Sequence, residues 1–393
     1  MTTKLFWQNI FTGIYFEGGA MKVQFQNNSL SVSHLNKSYQ LHPVWLRERL
    51  PGEEYFDVDT HQRLYEPSSI DLNLQITSAI LSDHLLNIEF NDGVKGSYNM
   101  EDLLMEMDDQ KNKRGPLPDR ILWDSSLGLF PEAQFEEEMS EKKSMYDLLI
   151  DFYKYGFVII KNVPTQDKYL LKFVNSIGPV KITNFGEYFD VMSKPNPNDL
   201  AYKPIALPPH TDNPYRKPTA PGIQFLHCLQ NEVSGGFSTL VDGFAVAEHI
   251  KTHDPEAFQS LTTTNLRYQF RDKDIVLENW GELIELDEDG DYKQVRYSTR
   301  VDYVPPLDTE KLSTFYRSRK LLSELYSASD FELKFKLQPG DIMMFDNHRT
   351  LHGRTSFDQN EGKRFLKGCY IDYDSSEGKL RFLERKFNLK WKK

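Results

Sequence analysis

Residues 207–216 read LPPHTDNPYR, and within them one residue separates His210 from Asp212. In an extended strand, side chains i and i+2 project from one face, so both can reach a single ion while Thr211 points away. An imidazole and a carboxylate then come from one short stretch. A distant second histidine would complete a facial 2-His-1-carboxylate set, which keeps coordination positions open and is diagnostic of non-haem Fe(II) oxygenases. The triplet needs such company, because a chain with 10 His and 58 acidic residues generates this spacing by chance.

The company lies near the C-terminus, in PGDIMMFDNHRTLHGRTSF and GKRFLKGCYIDYD. His348 and His352 share the same parity, and each also reads as an ordinary surface or core histidine. Spacing alone does not choose between them. Arg364 follows His352 by twelve residues and sits at the head of the apolar run FLKGCY. A buried guanidinium is costly without an anion, and its planar fork suits a carboxylate held through two hydrogen bonds. An internal salt bridge is the competing reading. Beside an iron triad, the arginine instead suggests a dicarboxylate cosubstrate with one end on the metal and the other needing a cation. 2-Oxoglutarate fits that description.

The elements that must position these residues are legible in outline. At 393 residues the chain can bury a large domain and a small one. From about residue 22 to 105, short alternating segments such as SLSVSHL and LLNIEFNDGVKGSY are separated by turn signals, with Asn91-Asp92-Gly93 at a hairpin bend. This reading gives a small β-rich N-terminal domain over 1–110, a charged connection over 111–140 and a catalytic domain over 141–393. In the last of these, SMYDLLIDFYKYG has helical spacing and ends at Gly156, and FVIIKNVP follows as a buried strand. Further short strands, GIQFLHCL, FSTLVDGF, FELKFKLQ, DIMMFDNH and FLKGCYIDY, predict a mostly β fold with flanking helices, an antiparallel barrel or jelly roll.

The net charge of −11 disfavours phosphate backbones and anionic membranes, so nucleic acid and membrane partners are not expected. No run of eighteen apolar residues is present, and the N-terminus lacks the charged and apolar regions of a secretory signal. Two cysteines, Cys228 and Cys369, exclude a disulfide framework and fit a reducing cytoplasm.

Four segments in order, HTDNPYRKPTAPGIQFLHCL, SGGFSTLVDGF, GDIMMFDNHRTLHGR and KRFLKGCYIDYD, closely resemble the gamma-butyrobetaine and trimethyllysine hydroxylase family of Fe(II)/2-oxoglutarate dioxygenases, within the taurine dioxygenase superfamily. HPVWLRERLPG resembles the start of that family's N-terminal domain, so nearly the whole chain is covered. The resemblance implies a double-stranded β-helix catalytic domain with iron on His210, Asp212 and His352. It selects His352 over His348 because HGR is the matching segment. It places Arg364 on the distal carboxylate of 2-oxoglutarate, with Leu226 and Ser238 lining the cosubstrate. It also implies O2 as cosubstrate, ascorbate as reductant and a homodimer.

The resemblance further implies an aromatic cage for a quaternary ammonium, at Phe185, Phe189, Tyr202 and Tyr370. Ring quadrupoles attract a cation too apolar for hydrogen bonds, though core packing is the bland alternative for any of these rings. Positions that meet gamma-butyrobetaine's carboxylate with asparagines in the family hold Asp199 and Thr299 here. An ionised Asp199 would repel a carboxylate, with Asn198, Arg296 and above all Arg300 available to compensate. The lead substrate is gamma-butyrobetaine, hydroxylated to L-carnitine. (Trimethylammonio)ethylphosphonate and trimethyllysine are the rival substrates, and a non-catalytic betaine-binding homologue is the rival of another class. The family's N-terminal domain often holds zinc on cysteines and a histidine. Here no cysteine precedes Cys228, so no structural zinc is expected and His42 and His61 read as surface or packing residues. Metal analysis finding about one zinc per chain besides iron would overturn this expectation.

Overall fold

The computed structural model describes residues 10–16, 19–34, 37–109, 117–192 and 203–389. The chain divides into two compact units between residues 115 and 116. In the first unit, β1 (Ile10–Phe16), β2 (Gly19–Gln26), β3 (Ser29–His34) and β4 (Lys37–Leu41) form an antiparallel meander. After helix α1 (Pro43–Arg47), a second antiparallel sheet joins β5 (Ile76–Ser82), β6 (Leu85–Phe90) and β7 (Lys95–Asn99), and helix α2 (Met100–Asp109) follows. Period-two patterning explains the fold: Leu30 and Val32 of β3 and Leu86, Ile88 and Phe90 of β6 are buried in one core while the residues between them are not. Gly93, in the left-handed region at φ 86°, lies in the β6–β7 turn where the hairpin was expected. His42 caps α1, its Nδ1 accepting from the Val44 amide at 3.2 Å.

The second unit opens with β8 (Glu132–Gln134), helix α3 (Lys143–Tyr155), β9 (Phe157–Lys161) and helix α4 (Lys168–Ile177). Next come β10 (Phe189–Val191), β11 (Leu207–His210), β12 (Ile223–Asn231) and β13 (Ser238–Asp242). Helices α5 (Gly243–His253) and α6 (Pro255–Thr263) lead to β14 (Leu266–Arg271), β15 (Val276–Gly281), β16 (Ile284–Leu286), β17 (Tyr292–Val295) and β18 (Asp302–Tyr303). Helix α7 (Thr309–Tyr326) precedes β19 (Glu332–Phe335), β20 (Ile342–Asp346), β21 (Thr350–Arg354), β22 (Arg364–Ile371) and helix α8 (Tyr373–Lys386).

Two sheets organise this unit, one in the order β10-β22-β12-β20-β9-β8 and one in the order β11-β21-β13-β19. Their inner faces share an apolar cluster that includes Leu226, Cys228, Met343, Phe345 and Leu366 from the first sheet and Leu240 and Leu333 from the second. Alternate residues of the same strands, Phe225, Met344 and Cys369 among them, pack outward with α3, α4 and α8. The segment from β14 through α7 lies in sequence between β13 and β19, which are neighbours in the smaller sheet. The fold is therefore mostly β with helices on its flanks.

The boundary at 115/116 corrects the expected connection over 111–140, since residues 117–140 belong to the second unit. Charge in this stretch reads as linker, but β8 adds a parallel edge strand to β9, and Trp123 packs on Phe157 with centroids 5.2 Å apart. A buried ion pair fixes it further. Arg349 Nη2 donates to Asp242 Oδ2 and to the Ile121 carbonyl, both at 2.6 Å, while Nε donates to Asp242 Oδ1 at 3.0 Å. Both side chains are essentially unexposed, so either one alone would leave a buried charge.

On the outer face of β12, His227 is fully buried, and chiefly for that reason its pKa is lowered to about 4, despite the nearby Val163 backbone and the charges of Asp167 and Asp341. The unfolded chain binds a proton near the ordinary value of about 6.5. Stability from this group is thus fully present above about pH 6.5 and is lost as pH falls toward 4, at about 1.4 kcal/mol per pH unit within that window. Urea unfolding between pH 7 and 5 is expected to show a shallower decline for His227→Gln than for the parent. Parallel declines would refute the assignment.

Candidate functional site

Strand pairing brings the metal-ligating types together. In the β11–β21 pair, His210 stands directly opposite His352, and their ring centroids are 4.4 Å apart. Asp212 lies just past the end of β11, with Oδ1 3.5 Å from His210 Nε2 and Oδ2 3.9 Å from His352 Nε2. The three ligand atoms all lie within 4.8 Å of one another, the one such His/Cys/Asp/Glu group among the described residues.

The backbone around Asp212 is tied down on both sides. Asn347 accepts from the Asp212 amide at 2.7 Å and donates to the Asp212 and Pro221 carbonyls at 3.0 and 2.9 Å. Thr211 turns away, exchanging bonds with the Tyr297 backbone at 2.8 and 3.0 Å. Local chemistry also prepares the imidazoles. His210 Nδ1 pairs with the Pro208 carbonyl at 2.9 Å, which places its proton there and leaves the Nε2 lone pair for a cation. Burial, with the charge of His210, lowers His352 to about 3, so its ring is neutral at neutral pH. Burial opposes ionisation of Asp212, yet the two histidines beside it and the Tyr370 hydroxyl outweigh that and hold the carboxyl well below its usual range. Two imidazoles and a carboxylate are the donor set a divalent iron ion requires, so the residues fit that metal.

His348 takes no part in the cluster. It is buried elsewhere, with Nε2 paired to the Ala220 carbonyl at 2.8 Å.

The cluster opens into a cavity of about 440 Å³, within the roughly 300–1,000 Å³ typical of small-molecule sites. Arg364, Leu226 and Ser238 all line it, as do Phe185, Phe189 and Tyr370. Arg364 is 7% exposed and has no carboxylate partner among the described residues, its Nε donating only to the Gly236 carbonyl at 3.2 Å. The internal-salt-bridge reading of this residue therefore has no partner. Gly236 is needed for that approach: it sits at φ 68°, and a Cβ there would lie 2.8 Å from Arg364 Cδ. Arg354, which the sequence reading missed, lines the same cavity. Burial and the charge of Arg364 lower Arg354 to about 10, and both guanidiniums flank the Phe357 ring at 5.1 and 5.7 Å. Arg354 Nη2 donates to the Lys203 and Ile205 carbonyls at 2.6 and 3.1 Å, so Arg354 brings a second, bonded guanidinium beside Arg364.

The aromatic wall is larger than expected. Phe189 and Tyr370 stand 5.2 Å apart, and Gly368 makes room for them because a Cβ there would fall 2.5 Å from Phe189 Cζ. Phe185 packs edge-on against Phe270 at 5.7 Å, and Phe270 stacks on Tyr215 at 4.9 Å. Tyr215, in the opening motif HTDNPYR, was visible in sequence as a ring three residues after Asp212. Tyr202, Asp199 and Asn198 lie outside the described residues.

Two expectations at the anionic end are corrected. Thr299 is exposed and borders a separate surface depression, because the turn closed by the Val301 amide on the Ser298 carbonyl at 3.1 Å breaks strand alternation. Ser298 and Arg300 line the main cavity instead, together with Arg271 of β14. Arg296 is buried in a pair with Glu285, away from the cavity lining. Gln224 and Asn347 were also missed, since a polar residue inside or beside an apolar run carries no partner label in sequence.

The alternatives left by spacing separate cleanly by substitution. His352→Ala is expected to lose divalent-metal binding by at least about 100-fold, whereas a folded His348→Ala retains it. Anaerobic Mn(II) titration measures both. Retained binding by His352→Ala would remove that residue from the ligand set.

Comparison with known proteins agrees in kind. Residues 124–370 match the family model for taurine catabolism dioxygenase TauD, TfdA family. A gamma-butyrobetaine dioxygenase of Pseudomonas sp. (strain AK-1) is 28% identical over 349 residues, covering 88% of this chain and 90% of that protein. The Homo sapiens gamma-butyrobetaine dioxygenase is 29% identical over 356 residues, covering 87% and 91%. The mitochondrial trimethyllysine dioxygenase of Bos taurus is 28% identical over 376 residues, covering 92% and 86%. With the matched span exceeding half its length and including His210, Asp212, His352 and Arg364, the chain belongs to the TauD, TfdA dioxygenase family.

Proposed function

We propose that the protein is an Fe(II)- and 2-oxoglutarate-dependent hydroxylase of a small trimethylammonium substrate, with gamma-butyrobetaine as the lead. One observation carries this reading: a single cavity is lined by the His210–Asp212–His352 cluster, by a buried Arg364 without a carboxylate partner, and by a wall of aromatic rings. We read the two facing sheets as the double-stranded β-helix of this enzyme class.

His210, Asp212 and His352 hold the iron. When bound, the metal supplies oxygen activation coupled to decarboxylation of 2-oxoglutarate, so that C–H, O2 and 2-oxoglutarate become C–OH, succinate and CO2. Arg364 takes the distal carboxylate of the cosubstrate, with Leu226 and Ser238 against its chain. A guanidinium fork fixes the orientation of that carboxylate as well as its charge. Phe185, Phe189 and Tyr370 receive the trimethylammonium group on their faces, and Tyr215 and Phe270 extend that wall. The other end of the substrate meets Arg300, Arg271 and Ser298. Held at both ends, the substrate is oriented without a general acid or base, and the aromatic wall excludes water.

The arginines at the anionic end favour a second candidate. Two guanidiniums suit a more highly charged group than a carboxylate, which keeps (trimethylammonio)ethylphosphonate alongside gamma-butyrobetaine. Trimethyllysine, whose α-ammonium would pair with an acidic residue such as Asp199, is the third.

Succinate release with Fe(II), 2-oxoglutarate and ascorbate is expected to depend on one of these amines. No amine-dependent turnover from iron-loaded protein would overturn the reading and favour a non-catalytic betaine binder. Arg364→Met is expected to raise the KM for 2-oxoglutarate by roughly 10–100-fold, the effect of losing a hydrogen bond to a charged partner. An unchanged KM would take Arg364 out of the cosubstrate site.

A further inference from the structure

The two oxygens of the Asp212 carboxylate have different surroundings. Oδ2 accepts from Gln224 Nε2 at 3.0 Å and from the Tyr370 hydroxyl at 2.9 Å. Oδ1 has His210 Nε2 beside it at 3.5 Å, while His352 Nε2 is 3.9 Å from Oδ2, beyond hydrogen-bond distance. An ionised carboxylate only accepts, and each of its oxygens offers about two lone-pair sites. Two protein donors therefore fill Oδ2.

Gln224 and Tyr370 are themselves a directly opposed pair, on β12 and β22 of the larger sheet. Gln224 is 1% exposed, and its Oε1 is buried without a partner. Only its amide NH2 can face a carboxylate, so the orientation of the side chain is set by Asp212. A glutamine that leaves one end unsatisfied at such a position costs stability unless the other end is needed. Tyr370 has two separable parts. Its ring face belongs to the cavity wall beside Phe189, while its hydroxyl is spent on Asp212.

We infer that Gln224 and Tyr370 are positioning residues that clamp Oδ2 of Asp212, restricting the carboxylate to one metal-binding oxygen and keeping a coordination position open for the cosubstrate. The clamp rests on the reading of His210, Asp212 and His352 as the metal ligands. It acts through Asp212, and it joins the metal site to the aromatic wall in one hydrogen-bonded unit. Outer hydrogen bonds to a ligating carboxylate orient it and are typically worth about 10–100-fold in metal affinity.

Tyr370→Phe removes the hydroxyl and keeps the ring, and Gln224→Met keeps the length of the side chain without its donor. Mn(II) titration of the full-length protein under anaerobic conditions, with free Mn(II) read by electron paramagnetic resonance, gives the affinity. Visible absorption of the Co(II)-loaded protein gives the coordination number. Each variant is expected to bind Mn(II) roughly 10–100-fold more weakly and to alter the Co(II) bands toward higher coordination. A purely structural role would leave the bands of the Co(II)-loaded, folded variant unchanged. Either variant that folds, by circular dichroism, and keeps both the parent affinity and the parent bands overturns the clamp. Asp212→Ala serves as the control. If the parent protein takes up no Mn(II), or Asp212→Ala binds as well as the parent, the ligand assignment fails. If the parent binds and Asp212→Ala does not, while both clamp variants match the parent, the clamp alone fails.

Discussion

The Asp212 carboxylate is the point on which the two sheets of the second unit converge. The smaller sheet contributes the opposed pair His210 and His352, and the larger contributes the opposed pair Gln224 and Tyr370. A one-residue slip in either register would turn the side chains of that pair to the opposite face, since the period of a strand is two. The site therefore depends on registers that are set far from it. Leu226, Cys228 and Leu366 on one sheet and Leu240 on the other lock the inner faces, while Phe225 and Cys369 lock the outer face against the helices. Burial on both faces makes slippage expensive along residues 223–229 of β12 and residues 366–371 of β22.

Polar anchors then fix what apolar packing leaves free. Asp212 and Asn213 follow β11 in an irregular stretch, with Asn213 at φ 55°, a region asparagine tolerates better than most residues. Asn347 compensates by bonding both backbone groups of Asp212 and the Pro221 carbonyl. Two residues further along, Arg349 ties Asp242 to the carbonyls of Ile121 and Lys154. The segment FDNHRTLHGR thus holds a backbone clamp, a buried ion pair and a metal-ligating type within ten residues. His348 rivals His352 by parity alone: it sits in the turn before β21, paired to the Ala220 carbonyl, whereas His352 lies on β21 opposite His210.

What could be read from sequence follows from what local patterning encodes. The His210–Asp212 spacing, the α3 stop at Gly156 and the β6–β7 turn are short-range, and short-range rules found them. Arg364 was legible because a cation heading an apolar run demands an explanation. Gln224 was not, because one polar residue in GIQFLHCL has many possible partners and its actual one is set by a cross-strand neighbour. Thr299 failed for a different reason. Alternation and alignment both break at a turn, and there Ser298 and Arg300, not Thr299, line the cavity. The edge strand β8 hid inside a charged stretch, since an edge strand of three residues needs little apolar surface.

The electrostatics of the cavity follow from the same geometry. Arg354 and Arg364 place two buried guanidiniums at one end, Arg300 and Arg271 line the same cavity, and Asp212 is the carboxylate among its described lining residues. Guanidiniums at this density favour an anion in the cavity. Under the proposed function, the two carboxylates of 2-oxoglutarate offset the charge of the metal and of Arg364. The ring faces of Phe185, Phe189 and Tyr370 then act on a trimethylammonium group beside a metal and cosubstrate whose charges are offset. On that reading, a bound cosubstrate favours the cationic end of the substrate through charge.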